Sequence, residues 1–295
     1  MQAGQEPSFE LAVAGLTLGP EVVQEFAVDK QSAWMQHVPF MAWAIRNLEP
    51  RSYVELGTHY GVSFFAAVQT AAFLKMSLDA RAIDLWEGDR HAGMYGNEVF
   101  DHVSARAKKF SGVTLTRSLF ADARELVADG SVDLLHIDGL HTYEAVKEDY
   151  DTWVSCLSDR GVIFFHDVRE TRSDFGVHIL WAELEAQFPS FTFDHGHGLG
   201  VLLVGSRVPK AFKDLAKLDK SPGGDHVRQV FATLGAALDL DSFYVKQRQL
   251  DEERIAGLEQ LLLAETEARH GIEHSISWRV TRPLRAVRGL FPHKR

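Results

Sequence analysis

Leu134-Leu135-His136-Ile137-Asp138-Gly139-Leu140-His141, read together with Phe164-Phe165-His166-Asp167, decides how this chain folds. Each is an apolar run that stops abruptly at acids and imidazoles. Apolar runs of that length read as buried parallel strands, because a strand covered on both faces has no polar side to present. In an open parallel α/β sheet, ligands bind beyond the carboxyl ends of the strands. The two runs therefore predict that Asp138, His141, His166 and Asp167 meet on one reactive edge, in a constellation suited to a metal and a base.

Working outward, residues 53–57, 81–85 and 112–117 read as the first three strands, with helices over 61–75, 97–109 and 121–128. Residues 132–137 form the fourth strand and 161–165 the fifth. Residues 142–157 and 175–188 carry apolar side chains at helical spacing. Two further strands, 191–193 and 201–204, are joined by Asp194-His195-Gly196-His197-Gly198-Leu199-Gly200, which suggests an antiparallel closing hairpin. Residues 31–48 read as a core-packed helix stopped by Pro50. The alternation argues for a doubly wound α/β domain over 31–206, after an irregular segment 1–30. Residues 207–240 contain Ser221-Pro222-Gly223-Gly224 and read as a linker or helical connection. Residues 241–274 read as a helix with a narrow stripe of Ile255, Leu258 and Leu262, compatible with a short coiled coil and a homodimer.

The chain has 295 residues, 45% hydrophobic and 24% charged, as expected of a soluble globular protein. A net charge of −10 argues against a general nucleic-acid binder. Cys156 stands alone, so no intrachain disulfide forms, and a reducing compartment fits. Met1 to Pro20 has no Lys or Arg and so lacks the positive start of a signal peptide. No apolar run reaches the roughly 20 residues of a membrane span, so the cytoplasm is expected. The charge is uneven. Residues 275–295 form a tail with Arg279, Arg282, Arg285, Arg288, Lys294 and Arg295 and no acid; six positive charges there, within a net of −10, leave −16 on the rest. Such a tail suggests its own anionic partner.

Val54-Glu55-Leu56-Gly57-Thr58-His59-Tyr60-Gly61 is E-x-G-x-x-x-G at a strand-to-helix turn, where glycines let backbone approach a ligand. The G-x-G-x-x-G of dinucleotide enzymes and the G-x-x-x-x-G-K-[ST] of P-loop nucleotidases are both absent. Asp84 ends the second strand, where a carboxylate can accept from ribose hydroxyls.

These segments carry a resemblance. Glu55-x-Gly57-x-x-x-Gly61 resembles the first motif of class I S-adenosylmethionine-dependent methyltransferases. Ile83 to Gly96, Leu135 to Tyr143, Phe165-His166-Asp167 and His195 to Gly200 are similar to the family 24 group, found beside or fused to bacterial glycosyltransferases. The resemblance covers about residues 31–206. It implies a seven-stranded Rossmann-like sheet with an antiparallel last strand. It implies that Glu55, Gly57, Thr58 and Gly61 flank the methionine part of S-adenosylmethionine, Asp84 the ribose and Ser118 the adenine. Asp138 with His166-Asp167 resembles the divalent-cation site (Mg, Mn or another ion) of catechol-type and macrolide-sugar O-methyltransferases, and His141 the general base of the sugar enzymes.

The chemistry is consistent with the residues. A hydroxyl is a poor nucleophile until its proton is removed or a cation stabilises the alkoxide. A neutral imidazole suits proton abstraction. The chain departs from its relatives at His166, where an oxygen donor is usual. Either the metal is softer, or His166 orients Asp167, or it acts as a base, or no metal binds. Asp138 or His141 could instead merely cap the following helix, and His136 reads as a packed core histidine. Trp86, His91 and Tyr95, on a glycine-hinged loop, suit stacking on a sugar or a lid, with ordinary loop packing as the alternative. His195 and His197 should either overhang the acceptor or stand as incidental histidines in a glycine-rich turn.

The expected activity is O-methylation of a sugar hydroxyl in a bacterial cell-surface glycan or glycolipid precursor. The alternatives are a phenolic or macrolide-type acceptor, and a non-catalytic scaffold in a glycan-assembly complex. Ser275 to Arg285 resembles a short motif ending many polysaccharide glycosyltransferases, and interleaves apolar residues with arginines as an interfacial segment on anionic lipid would. A peripheral contact with the inner membrane face or with a glycosyltransferase is therefore expected of it.

Overall fold

The computed structural model describes residues 10–28, 30, 32–172, 174–273 and 275–281. The chain divides into two compact units, Met1–Ser242 and Phe243–Arg295. The first is built on a seven-stranded sheet of β1 (Ser52–Leu56), β2 (Asp79–Asp84), β3 (Val113–Arg117), β4 (Val132–Ile137), β5 (Leu157–His166), β6 (Ser190–Phe193) and β7 (Leu199–Leu203). Their spatial order is β6-β7-β5-β4-β1-β2-β3. From β5 to β3 the pairs are parallel, while β7 runs antiparallel to both β5 and β6. This is the sheet the resemblance implied, antiparallel last strand included.

The doublets that opened the sequence reading explain why both sheet faces are covered. Side chains alternate across a strand. Leu134, Val162 and Phe164 accordingly join one core layer with Trp34, Trp43 and Phe64, whereas Leu135, Ile163 and Phe165 join the other with Val146, Trp153 and Trp181. The central strands β4 and β5 are thus apolar toward both layers, and the polar residues at their ends stand out.

Helix ends follow local chemistry. The helix Tyr143–Trp153 is capped by Thr142, whose side chain accepts from the Ala145 N–H at 3.3 Å. Neither Asp138 nor His141 makes that cap. The helix Val38–Leu48 is preceded by a 3-10 turn, Ala33–His37, and stops at Glu49 in the left-handed region rather than at Pro50 itself. The expected helix over 121–128 is one α turn, Phe120–Ala123, followed by the 3-10 turn Arg124–Leu126. The N-terminal segment contains a small hairpin, Leu11–Val13 with Leu16–Leu18.

Ser221-Pro222-Gly223-Gly224 is not a loop. It opens the helix Pro222–Glu273, with Ser221 Oγ accepting from Gly224 N at 3.2 Å and Pro222 at the first position. A Cβ on Gly224 would lie 2.1 Å from the Leu218 carbonyl oxygen, so glycine permits that close approach. Val227 and Phe231 of this helix are buried in the core of the first unit. In the second unit Ile255, Leu258 and Leu262 are exposed. No helix among the described residues is long and apolar enough to cross a membrane. Most of the basic tail, residues 282–295, lies outside the described residues, as do 1–9 and Gln31.

Candidate active site

The carboxyl ends of β1, β2 and β4, with the loops that follow them, surround a cavity of about 450 Å³. That volume is in the range of small-molecule sites. Its construction begins with two backbone bonds at the strand ends: Asp138 N donates to Leu56 O at 2.8 Å, and Gly57 N to Ile83 O at 3.0 Å. The chain leaving β1 therefore crosses directly over the end of β4. Gly57 has φ +84°, and a Cβ there would lie 2.1 Å from the Asp138 carbonyl oxygen. The first motif glycine is required by the neighbouring strand before any ligand is considered.

Asp84, at the end of β2, holds the loop. Its Oδ2 accepts from Thr58 N at 2.8 Å and His59 N at 2.9 Å, and its Oδ1 accepts from Trp86 N at 2.7 Å. Thr58 lines the cavity, and its Oγ1 is buried with no hydrogen-bond partner. Buried hydroxyls are nearly always paired, so an orphan on a cavity wall marks a place for a ligand atom. Ser118 also lines the cavity, with its hydroxyl donating to Leu119 O at 3.0 Å. Gly61, with φ +75°, starts the helix Val62–Phe73.

Glu55 is placed differently from the other motif residues. It is fully buried and is not part of the cavity lining. Its Oε2 accepts from the Tyr53 hydroxyl and lies 2.8 Å from His136 Nδ1. His136 Nε2 then accepts from Trp34 Nε1 at 3.2 Å, and Trp34 does line the cavity. His136 is thus a core histidine, as read from the sequence, but one that connects Glu55 to the cavity wall.

The polar edge gathers as expected. His141 Nε2 lies 2.8 Å from Asp167 Oδ2 and 3.4 Å from Asp138 Oδ1. One atom from each of Asp138, His141 and Asp167 falls within 4.8 Å of the others, a set able to hold a metal ion. The donors are two carboxylate oxygens and an imidazole nitrogen, a mixed set that suits Mn, Fe or Zn better than Mg. His166 stands behind this set. Its Nε2 is 3.0 Å from Gly196 O and its Nδ1 is 3.3 Å from Asp138 Oδ1. His166 borders both carboxylates as well, its Nδ1 lying 3.6 Å from Asp167 Oδ1, while the set whose ligand atoms come together closely enough for one ion is Asp138, His141 and Asp167.

Electrostatics follow from that packing. Burial disfavours the charged form of His141, but its hydrogen bonds to Asp138 and Asp167 outweigh burial and push the imidazole up to about 10. Burial likewise opposes a charge on His166, and the Asp138 carboxylate overcomes it and raises the group. Asp138, despite burial, is held well below the usual carboxylate range by His166 and His141. The neutral imidazole expected at His141 is thus an imidazolium at neutral pH while these carboxylates hold no cation. Phe175 stacks on the His141 ring at 4.9 Å and on His91 at 4.4 Å.

The loop and hairpin aromatics divide. Tyr95 lines the cavity and packs on His59 at 4.9 Å. Trp86 does not stack over the site: it is fully buried, with Nε1 donating to His59 O at 3.0 Å. His91 lies beside the lining, 2.8 Å from Asp174 Oδ1, and Arg90 lies 2.6 Å from the other oxygen of Asp174. His195 and His197 do not overhang the cavity. His195 packs on His37 at 4.7 Å, and His197 Nδ1 lies 3.1 Å from Glu170 Oε2. What the hairpin tip contributes is the Gly196 carbonyl, which accepts from His166 and from His37 Nε2 at 3.2 Å. The sequence reading missed Trp34, Phe120 and Asp149 in the lining. Trp34 and Asp149 sit in stretches whose helical spacing marked only core and solvent faces.

Residues 54–168 match the model of a family described as a methyltransferase domain. The matched span runs from the glycine loop through Asp167, so it contains the loop and the carboxylate cluster together. The protein y4gI of Sinorhizobium fredii (strain NBRC 101917 / NGR234) is 43% identical over 190 residues, 64% of this chain and 21% of its own length. The chain thus spans about a fifth of that relative. Among solved structures, a Staphylococcus aureus protein assigned as a caffeoyl-CoA O-methyltransferase aligns at 14% identity, covering 63% of this chain and 88% of its own, with a TM-score of 0.46. The O-methyltransferase TomG of Streptomyces achromogenes, solved with SAM, aligns at 12% identity over 61% of this chain and 92% of its own, with a TM-score of 0.42.

Proposed function

We propose that this chain is an S-adenosylmethionine-dependent O-methyltransferase whose acceptor is a sugar hydroxyl. One observation carries the reading: the Asp84-braced glycine loop and the Asp138, His141, Asp167 cluster face a single cavity of about 450 Å³. A cofactor loop and a group able to handle a hydroxyl proton are the two requirements of methyl transfer to oxygen. The cofactor, when bound, supplies a sulfonium methyl open to displacement. The unpaired Thr58 hydroxyl and the glycine loop fit its binding at this edge.

As the new O–C bond forms, the acceptor hydroxyl loses its proton. Asp138, His141 and Asp167 are the residues that would hold a divalent cation, which would lower the acidity barrier of the acceptor oxygen. A cation held by the oxygens of Asp138 and Asp167 alone would leave Nε2 of His141 free as a base, whereas one that also took Nε2 would use that lone pair, so the two roles of His141 are alternatives. Without one, the two carboxylates keep His141 charged and Asp167 is the remaining proton acceptor.

The lining supports a neutral, hydroxyl-bearing acceptor. Asp84, Asp89, Asp138, Glu148, Asp149 and Asp167 line the cavity, and no Lys or Arg does so among the described residues. A phosphate-bearing acceptor would meet a wall of like charge. Trp34, His59 and Tyr95 offer faces of the kind sugars stack on.

Calorimetry with S-adenosylmethionine, before and after EDTA and with Mg or Mn restored, tests the cofactor reading. Binding is expected; its absence under every metal condition would return the scaffold reading. Mass spectrometry of neutral glycans and phenolic acceptors, with nucleotide sugars as the phosphate-bearing class expected to be refused, then reads the methyl added. Transfer confined to phenolic acceptors would favour the natural-product alternative.

A further inference from the structure

One wall of the cavity carries an acid counted so far only among its carboxylates. Asp149 lies on the helix Tyr143–Trp153 and lines the cavity beside Ala145, Glu148 and Leu140. Ser118, Leu119 and Phe120, which follow β3, line the same cavity. Gly139 stands near both stretches: a Cβ placed there would lie 2.5 Å from the Phe120 ring and 3.3 Å from Asp149 Oδ2. Leu119, Phe120, Leu140 and Ala145 thus give this part of the lining an apolar character, and two carboxyls, Glu148 and Asp149, stand at its wall, Asp149 the nearer to Gly139 and Phe120.

Most half-buried acids in this protein are paired. Asp84 takes three backbone N–H groups, Asp133 takes Ser158 Oγ and Arg51 N, and Asp219 takes Arg228 and Thr192 N. Asp149 makes no hydrogen bond or ion pair among the described residues. Burial first, and the neighbouring Glu148 charge second, push its carboxyl up to about 7. Asp149 lines the cavity without a protein partner, so its oxygens are open to a donor on whatever enters there. A flat, weakly polar ring with one exocyclic N–H donor is the chemistry that fits.

We propose that Asp149 accepts a hydrogen bond from the exocyclic amino group of the cofactor's adenine and so selects an aminopurine. The inference rests on the reading that this cavity takes S-adenosylmethionine. It makes Asp149 a specificity-determining residue, distant in role from the carboxylates that face the acceptor.

The test is calorimetry on the full chain with S-adenosylhomocysteine and with its 6-deamino (purine) analogue. Asp149→Ala should weaken S-adenosylhomocysteine about tenfold or more, whereas Asp149→Asn, which keeps an accepting oxygen, should stay within about threefold. Wild type should disfavour the deamino analogue by a similar factor, and Asp149→Ala should not distinguish the two ligands. Equal affinity of wild type and Asp149→Ala for S-adenosylhomocysteine overturns the proposal, as does a deamino penalty that persists in Asp149→Ala. Should Asp149→Ala fail to fold, the wild-type comparison of the two ligands decides, and equal binding there overturns it. Loss of all S-adenosylhomocysteine binding by wild type would instead reject the cofactor reading itself.

Discussion

His141 Nε2 sits 2.8 Å from Asp167 Oδ2 while also facing Asp138 Oδ1 at 3.4 Å, so one imidazole nitrogen is shared by two carboxylates from different strand ends. The same three side chains form the set able to hold a cation. Proton and cation are therefore alternatives for one small volume, and the behaviour of the site with pH should follow from that competition.

In the metal-free protein, His141 titrates at about 10 when folded, above its usual 6.5. A raised imidazole stabilises the fold fully below the unfolded value, and that stability is lost as pH rises through the folded one. The difference in unfolding free energy between EDTA-treated wild type and His141→Gln should be on the order of a few kcal/mol near pH 6.5. It should shrink steadily toward about 10. Urea titrations across that window measure it. A difference independent of pH would mean that His141 is neutral in the folded protein.

Cation uptake should release a proton. With His141 charged between Asp138 and Asp167, binding of Mn should become tighter as pH rises, and calorimetry in buffers of different ionisation enthalpy should count about one proton released per ion at neutral pH. Asp167→Asn should remove both the binding and the proton release. Uptake without proton release would place the ion elsewhere.

Asp84→Asn should loosen the cofactor loop without unfolding the protein. An amide has one accepting oxygen, and its NH2 must then face either Trp86 N or the paired Thr58 and His59 N–H groups. Donor against donor leaves at least one backbone N–H unpaired, at about 1–3 kcal/mol. S-adenosylhomocysteine affinity should fall about tenfold or more with the melting temperature lowered by only a few degrees. Unchanged affinity would show that the loop does not need this brace.

Much of this was legible in the sequence because a parallel sheet buried on both faces writes itself as apolar doublets. Leu134-Leu135 and Phe164-Phe165 send alternate side chains to opposite core layers, and the polar residues that end those runs fall on the ligand edge. Other parts carry no such signature. The Gly196 carbonyl that holds His166 and His37 is backbone, and only its flanking histidines could be read. Trp86 looks like a loop aromatic until its indole is seen donating to His59 O from a buried position. Ser221-Pro222-Gly223-Gly224 signals a linker as readily as a helix start, and the structure makes it the start, with Ser221 Oγ accepting from Gly224 N and Gly224 close against the Leu218 carbonyl. Asp149 is one of several acids on a helix that looks solvated in sequence.

The buried chain from Tyr53 through Glu55 and His136 to Trp34 gives the last prediction. Glu55 receives the Tyr53 hydroxyl and lies 2.8 Å from His136 Nδ1, and His136 in turn accepts from the Trp34 indole at 3.2 Å. Burial and the Glu55 charge hold the Tyr53 hydroxyl well above its usual range, so it remains a donor. Glu55→Ala leaves Tyr53 and His136 unpaired in the core and should destabilise the protein by about 3–5 kcal/mol. Glu55→Gln keeps an oxygen for Tyr53 or for His136 and should lose less. Trp34→Phe removes only the final donor, at the cavity wall, and should lower stability by about 1 kcal/mol while changing ligand affinity. Denaturant unfolding and calorimetry on the three variants separate these effects. If Glu55→Gln weakens ligand binding far more than it lowers stability, Glu55 contacts the ligand directly; a loss of both in proportion supports its action through His136 and Trp34.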